Sequence, residues 1–223
     1  MSALVNGFGG DAGANGIRVV IADDQAMVRD GLRRILGAAG DIEVVGEAAD
    51  GVEALELVRA VRPDVALVDI RMPRMDGLTL TRDLAGGPTR VVVVTTFDLD
   101  EYVYAALRNG AAGFLLKRSG PALLTEAVRA AVSGESLISP AITVKLLRHL
   151  SRPRPESPEP LTERELEIAA HVGAGHTNAE IGAELFISAG TVKTHVAAVQ
   201  RKLAVRNRVG IAVWAWNHGV VVP

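Results

Sequence analysis

Five short apolar runs alternate with amphipathic segments over the first 135 residues, and this alternation limits the fold more than any other feature. The runs are IRVVIA (17–22), IEVVG (42–46), VALV (65–68), RVVVVT (90–95) and GFLL (113–116). Each is bounded by turn-forming or polar residues, the pattern of buried parallel strands. Between them, apolar residues recur at helical spacing: Val28, Leu32, Ile35, Leu36 and Ala39 first, then Ala54, Leu55 and Val58. Shorter helices fit 78–84 and 98–109, and a fifth runs from Pro121 to Ser133, with Pro in its first turn and Gly134 after it. Five such units predict a doubly wound α/β fold, a five-stranded parallel sheet with helices on both faces. Aromatic residues make up only 4% of the chain, so its cores must be built from Val, Leu, Ile and Ala.

The ends of these runs carry the chemistry. VALV stops at Asp69 and is followed by the turn residues of IRMPRMDG; the other runs end in Asp23-Asp24, Thr95 and Lys117. Carboxyl ends of parallel strands share one edge, where open α/β sheets place their ligands. A lone strand-end Asp is usually a turn-maker or a helix cap. In the company of Asp23, Asp24, Thr95 and Lys117, Asp69 reads instead as a carboxylate nucleophile that accepts a phosphoryl group. Clustered carboxylates repel one another and call for a hard divalent cation, magnesium being the natural choice. Lys117 supplies a compact positive charge and Thr95 a hydroxyl for the phosphoryl oxygens. Asp76 reads as a turn and cap residue.

Beyond residue 135 the pattern changes. Pro140–Leu150 has helical spacing, and SRPRPESPEP (151–160) is a proline-rich linker, so 136–160 reads as a connector. Residues 161–223 predict a small all-α domain of four helices. Thr162 with Glu165 is a capping-box signature, Thr177-Asn178 caps a second helix, and Ser188 caps a third over 189–203; a fourth spans 206–217. A tight turn between the second and third suggests a helix-turn-helix. In the third helix Val192, Val196, Val199 and Leu203 form the inner stripe, while Lys193, Thr194, Ala197, Gln200 and Arg201 form an acid-free outer face. Such a face suits the DNA major groove: Lys193 for a base edge or phosphate, Thr194 and Ala197 for close approach, Arg201 and Lys202 for phosphates. Thr177 and Thr191 complete the expected DNA-facing set. Val209, Val213 and Trp216 are expected to face the core, with Trp214 off that stripe. Gly182 marks close packing, and His171 and His176 have no metal-ligand spacing in sequence.

The stretches IADDQAMVRDGLR, VDIRMPRMDG, VVVVTTF and GAAGFLLK resemble a two-component response regulator receiver domain, over about residues 17–135. The stretch LTERELEIAAHVGAGHTNAEIGAELFISAGTVKTHVAAVQRKL resembles the LuxR-type helix-turn-helix, over 161–218. Together they resemble a NarL/FixJ-subfamily response regulator. The resemblance implies a flavodoxin-like receiver with Asp69 as the phosphorylation site. It implies magnesium held by Asp24, Asp69 and the Arg71 backbone carbonyl, with Asp23 assisting through water. Lys117 would pair with the phosphoryl group, Thr95 would be the switch hydroxyl, and Phe114 the aromatic that moves with it. The implied partners are a sensor histidine kinase and double-stranded promoter DNA, with a homodimer formed on phosphorylation. The last helix, Trp214 included, is a candidate dimer contact.

Four positions vary within or depart from the family pattern. Arg118 follows Lys117 where many receivers carry Pro, so a trans bond is expected. Arg71 and Phe97, two residues after Asp69 and Thr95, are both large and are expected to crowd an attacking water. Ala197 often holds a longer polar residue in relatives.

The absence of cysteine excludes disulfides and thiolate metal sites and fits a reducing, cytoplasmic setting. No apolar run is long enough to cross a bilayer. Residues 1–16, rich in Gly, Ala and Asn, read as a flexible tail rather than a signal peptide. The net charge of −2 gives no hint of nucleic acid, so the DNA reading rests on local placement. Two rival readings are a constitutive DNA-binding protein with a silent receiver and an aspartyl-phosphate phosphatase. The second usually places its nucleophile and acid two residues apart on the first strand, whereas Asp23 and Asp24 are adjacent.

Overall fold

The computed structural model describes residues 16–96, 100–138 and 160–221. All of the expected tail (1–16) but Gly16, Phe97, and most of the connector with its expected helix and proline-rich linker lie outside the described residues.

The chain alternates β1 (Ile17–Ala22), α1 (Ala26–Gly37), β2 (Ile42–Ala48), α2 (Gly51–Val61), β3 (Val65–Val68), α3 (Gly77–Leu84), β4 (Arg90–Thr95), α4 (Asp100–Arg108), β5 (Gly113–Leu116) and α5 (Pro121–Ser133). The sheet is parallel, in the order β2-β1-β3-β4-β5. Side chains alternate across it because successive Cβ atoms point to opposite faces. Val19, Ile21, Val65, Leu67, Val92 and Val94 meet α1 and α5 on one face. Val20, Ala22, Ala66, Val68, Val91, Val93 and Phe114 meet α2, α3 and α4 on the other. β3, β5 and the greater part of β1 and β4 are apolar because both faces are covered, while edge strand β2 admits the exposed Glu43.

Most expected boundaries hold within two residues. β2 runs two residues past Gly46, because Glu47 and Ala48 pair with Ile21 and Ala22. Past α5 the chain stays with the receiver: Leu137 accepts from Phe114 N at 3.1 Å, and Ile138 bridges Phe114 in parallel. The receiver therefore extends slightly beyond residue 135. The peptide after Lys117 is trans, as expected.

Two close approaches fix the loop that follows Asp69. Asp76 caps α3 by accepting from Thr79 N at 2.7 Å, and Gly77 N donates to Ile70 O at 2.8 Å. A Cβ on Gly77 would lie 2.0 Å from the Asp69 carbonyl oxygen. Only glycine lets α3 begin directly against the backbone of Asp69.

The C-terminal unit has four helices: α6 (Glu163–Gly173), α7 (Asn178–Leu185), α8 (Ala189–Lys202) and α9 (Arg208–Asn217). Thr162 with Glu165, and Thr177 with Glu180, form reciprocal capping boxes, and Ser188 accepts from Thr191 N at 3.0 Å. Ile168, Ile181, Val192, Val196, Val199 and Ile211 form the core. Gly182 is pressed against the turn that follows α7; a Cβ there would lie 2.7 Å from Ile187 O. In α9 the expected stripe is shifted. Ile211 and Ala215 are buried, Trp214 packs on the core and stacks on His218, and Trp216 is 61% exposed. Val209 packs instead on the receiver's apolar layer. The helix serves two neighbours at once, so a single-stripe reading misassigned its phase. Among the described residues, no helix is long and apolar enough to cross a membrane.

Lys202 is also reassigned. Its ammonium sits 2.7 Å from Glu165 Oε2, with its side chain only 13% exposed, so it braces the first capping box rather than facing DNA. Burial pushes the Glu165 carboxyl up, but Lys202 and the Thr162 N–H and hydroxyl pull harder and hold it at about 2.

Two tests follow from this packing. Gly77→Ala must displace the Asp69 backbone, and overpacking of this kind costs about 1–3 kcal/mol; urea denaturation of the receiver should show that loss. Because the Glu165 carboxyl is depressed, its stabilisation is present above the ordinary value of 4.5 and is lost as pH falls toward about 2. Circular dichroism of Glu165→Gln should show a shallower loss of helical-domain stability across that window than the parent chain.

Candidate functional site

The carboxyl edge of the sheet brings the expected groups together. Asp69 follows β3, and its N–H donates to Ala22 O at 2.9 Å, which locks its backbone to the end of β1. Its side chain is 3% exposed: Oδ1 accepts from Ile70 N at 2.7 Å and Oδ2 accepts from Lys117 Nζ at 2.8 Å. Lys117 follows β5, and its N–H donates to Thr95 O at 2.8 Å. The same ammonium lies 2.6 Å from Asp23 Oδ2. Asp23 is 1% exposed, and its Oδ1 accepts from Gln25 N at 3.0 Å. Asp24, next along the chain, is exposed at the mouth.

The electrostatics are unbalanced. Burial pushes the Asp23 carboxyl above its ordinary range, against the pull of Lys117 and the Gln25 N–H. Burial opposes the charge on Lys117, but Asp23 and Asp69 outweigh it and hold its ammonium more firmly protonated than usual. Oxygens of Asp23, Asp24 and Asp69 lie within 4.8 Å of one another. Three ionised carboxylates against one ammonium leave two negative charges. An all-oxygen donor set with that deficit fits a hard divalent cation such as magnesium.

The other expected residues surround this cluster. Thr95 is fully buried at the end of β4. Phe114 is fully buried on β5, opposite Val93, in the same apolar layer as Val103 and Leu107 of α4. Arg71 stands at the mouth with its guanidinium 6.0 Å from the Tyr102 ring centroid and 3.5 Å from the Tyr102 hydroxyl. Asp24, Ile70, Arg71, Met72 and Tyr102 line an open cleft there. Tyr102 was not singled out in the sequence, since nothing marks which residue of α4 faces the cleft.

The outer face of α8 bears Lys193, Thr194, Ala197 and Arg201, all exposed. Thr191 and Thr177 serve as local braces: Thr191 Oγ1 lies 2.8 Å from Ser188 Oγ, and Thr177 Oγ1 3.0 Å from Glu180 Oε2. Lys193 Nζ, however, donates to Val132 O of α5 at 2.9 Å. A cleft between the two units is lined by Lys193, Ala197 and Gln200 on one side and Arg90 and Glu135 on the other. The contact is completed by residues the sequence did not flag. Asn207 Nδ2 donates to Leu107 O at 2.7 Å and to Ala111 O at 2.8 Å, and Asn178 Nδ2 donates to Ser133 O at 3.0 Å. Asn178 N also donates to Glu135 Oε1 at 3.0 Å. Val132, Ser133 and Leu107 lie in the last turns of α5 and α4, where carbonyls lack helical partners and the dipole favours positive groups. Both Asn residues sit at helix starts, the position where a sequence offers only a capping role.

Comparison with known proteins agrees with this geometry. Residues 19–129 match the response regulator receiver domain, and residues 159–215 match the bacterial regulatory proteins of the luxR family. The chain is 41% identical over 209 residues to the transcriptional regulatory protein LiaR of Bacillus subtilis, covering 92% of this chain and 99% of that one. It is 40% identical over 195 residues to the probable transcriptional regulatory protein NarL of Mycobacterium tuberculosis, covering 86% and 90%. Among solved structures, it resembles the response regulator ChrA of a heme-sensing two-component system, at 39% identity and TM-score 0.53, covering 93% of this chain and 100% of that one. The chain thus belongs to the NarL-type response regulators, transcriptional regulators that join a receiver domain to a LuxR-type helix-turn-helix.

Proposed function

We propose that Asp69 accepts a phosphoryl group from the phosphohistidine of a sensor kinase, and that this modification frees α8 to bind promoter DNA. The observation that carries the proposal is the buried Asp69–Lys117–Asp23 cluster at the open edge of the sheet. An Asp69 oxygen attacks phosphorus, the bond from phosphorus to the donor nitrogen breaks, and the donor imidazole keeps the electron pair and takes up a proton. Asp23, Asp24, Asp69 and the Arg71 carbonyl would hold magnesium, which supplies charge shielding between the nucleophile and the incoming phosphoryl oxygens. Lys117, already against Asp69, pairs with a phosphoryl oxygen once the acyl phosphate forms. The Thr95 hydroxyl donates to another. The group is lost by hydrolysis of the acyl phosphate, and no outside substrate is turned over. Arg71 over Tyr102 restricts the path of the attacking water.

The output follows from placement. The major groove is about 12 Å wide and takes an α-helix along its outer face. With Lys193 bound to Val132 O, that face is turned toward the receiver, so DNA and the receiver compete for it. Thr95 ends the strand beside β5, Phe114 packs with Leu107, and the Leu107 carbonyl holds Asn207. Inward movement of Thr95 would thus reach the interdomain contact through packed residues and shift an existing equilibrium. Released domains dimerise and place two α8 helices in successive grooves, with Lys193, Thr194 and Ala197 toward bases and Arg201 toward phosphate. The setting is cytoplasmic, where kinase and promoter meet.

Two experiments test this. Incubation with a small acyl phosphate and magnesium should add one phosphoryl group by intact mass to the parent chain and none to Asp69→Asn; equal labelling of both would sink the assignment. In the same assay Arg71→Asn should lose the group faster. Asn207→Asp keeps the cap that accepts from Gly210 N at 2.9 Å but removes the donor and sets a carboxylate against two carbonyls. A cost of about 1–3 kcal/mol to the contact raises the open fraction about 5- to 150-fold. DNA binding by unphosphorylated Asn207→Asp, measured by anisotropy, should tighten accordingly; unchanged affinity would mean that the contact does not gate α8.

A further inference from the structure

We propose that His171, His176 and Glu184 form a binding site for a borderline divalent transition cation, zinc foremost, that clamps the turn between α6 and α7. The residues are five and eight positions apart, a spacing with no helical or strand logic. The backbone makes it meaningful. α6 ends at Gly173, Gly175 takes a φ of +91°, and His176 N donates to His171 O at 3.1 Å. This is a Schellman-type closure, in which a left-handed glycine folds the chain back on the last helical turn. It sets the His176 ring beside the His171 ring, with centroids 5.3 Å apart. α7 then carries Glu184 to the same point.

Ligand atoms of the three residues lie within 4.8 Å of one another, the close contacts being divided between the two Glu184 oxygens. His171 Nδ1 lies 3.1 Å from His176 Nδ1 and 3.0 Å from Glu184 Oε2, and His176 Nδ1 lies 3.8 Å from Glu184 Oε1. A tetrahedral zinc with ligands at about 2.0–2.2 Å sets neighbouring ligand atoms about 3.3–3.5 Å apart, within the span of these separations. Protons alone serve the arrangement poorly. A neutral imidazole has one N–H, so one proton on His171 Nδ1 would be shared between two acceptors, leaving His176 Nδ1 and Glu184 facing each other as acceptors. If both rings carried a proton on Nδ1, two donors would face each other at 3.1 Å. A cation satisfies all three lone pairs together, with water as a fourth ligand.

The surroundings suit a structural site. His171 is largely covered, with 12% side-chain exposure, while His176 and Glu184 at 33% and 47% leave an entry path. His171 lies in the last turn of α6, where the helix dipole favours positive charge. Two imidazoles and a carboxylate select zinc over magnesium, which prefers oxygen alone, so this site and the acidic edge of the receiver are chemically distinct. The Arg208 guanidinium nearby bonds the His176 carbonyl and Asn178 Oδ1, not the rings. Thr177 and Asn178 follow His176 directly, so an ordered turn also fixes the start of α7 and the Asn178 contact with the receiver.

The test uses the full, untagged chain, stripped with chelator and held in excess magnesium so that the acidic edge is filled. Cobalt titration should give one saturable visible band of tetrahedral intensity, abolished by zinc. Loss of second-shell partners alone typically costs about 10–100-fold in affinity, so His176→Gln and Glu184→Gln, which remove ligands, should weaken zinc by at least about tenfold. X-ray absorption of the zinc-loaded parent chain does not depend on how the variants fold; it should show nitrogen and oxygen ligands with an imidazole signature. An all-oxygen shell, no saturable band, or a band unchanged in both variants would overturn the site.

Discussion

A single buried ammonium holds the acidic edge of the receiver together. Lys117 reaches Asp69 at 2.8 Å and Asp23 at 2.6 Å, and both carboxylates are almost fully buried. Two such groups cannot share a dry site as free ions, and removing one partner of a buried pair costs about 3–5 kcal/mol. The strand ends are therefore committed to one another. The bond from Lys117 N to Thr95 O and that from Asp69 N to Ala22 O tie β5 to β4 and β3 to β1 around this point. The two uncompensated negative charges leave the edge dependent on something from outside, a cation or a shift of proton. That dependence is what makes it a site rather than a core.

The second unit is held by a different economy of forces. Its contact with the receiver rests on a few amide and ammonium donors meeting carbonyls at helix ends, with Val209 as the apolar component. Net hydrogen bonds of this kind contribute about 0.5–1.5 kcal/mol each. A switch needs such a contact. A gap of a few kcal/mol between closed and open forms can be reversed by one covalent modification, whereas a large apolar interface could not be.

The receiver was legible because its physics is repetitive. The inner strands are covered on both faces and read as apolar runs, and the polar groups of the site stand at the ends of those runs. Asp69, Asp23, Lys117 and Thr95 were visible for that reason. The second unit was harder. α9 packs on its own core through Ile211 and Ala215 and on the receiver through Val209, so its two tryptophans exchanged roles relative to the expected stripe. Lys202 looked like a phosphate ligand because nothing in a sequence shows Glu165 one helix away turning back to meet it. Asn178 reads only as part of a cap, and Asn207, which in fact caps α9, lies inside the expected last helix; their bonds to the receiver are purely tertiary. His171 and His176 were set aside on spacing, because a left-handed glycine converts an unhelpful interval into contact.

The interdomain contact is also lopsided in its chemistry. Among the hydrogen bonds of the described residues, Leu107, Asn109, Ala111, Val132 and Ser133 accept through main-chain oxygen, and Glu135 accepts through its carboxylate. The DNA-binding unit contributes mainly named side chains: Asn178, Lys193, Arg206 and Asn207. A carbonyl is present whatever residue carries it. Side-chain changes on the receiver's surface therefore leave most of these acceptors in place, whereas a change at Asn178, Lys193, Arg206 or Asn207 removes a donor. Lys193 stands both in this contact and on the outer face of α8, so a substitution there alters the two together.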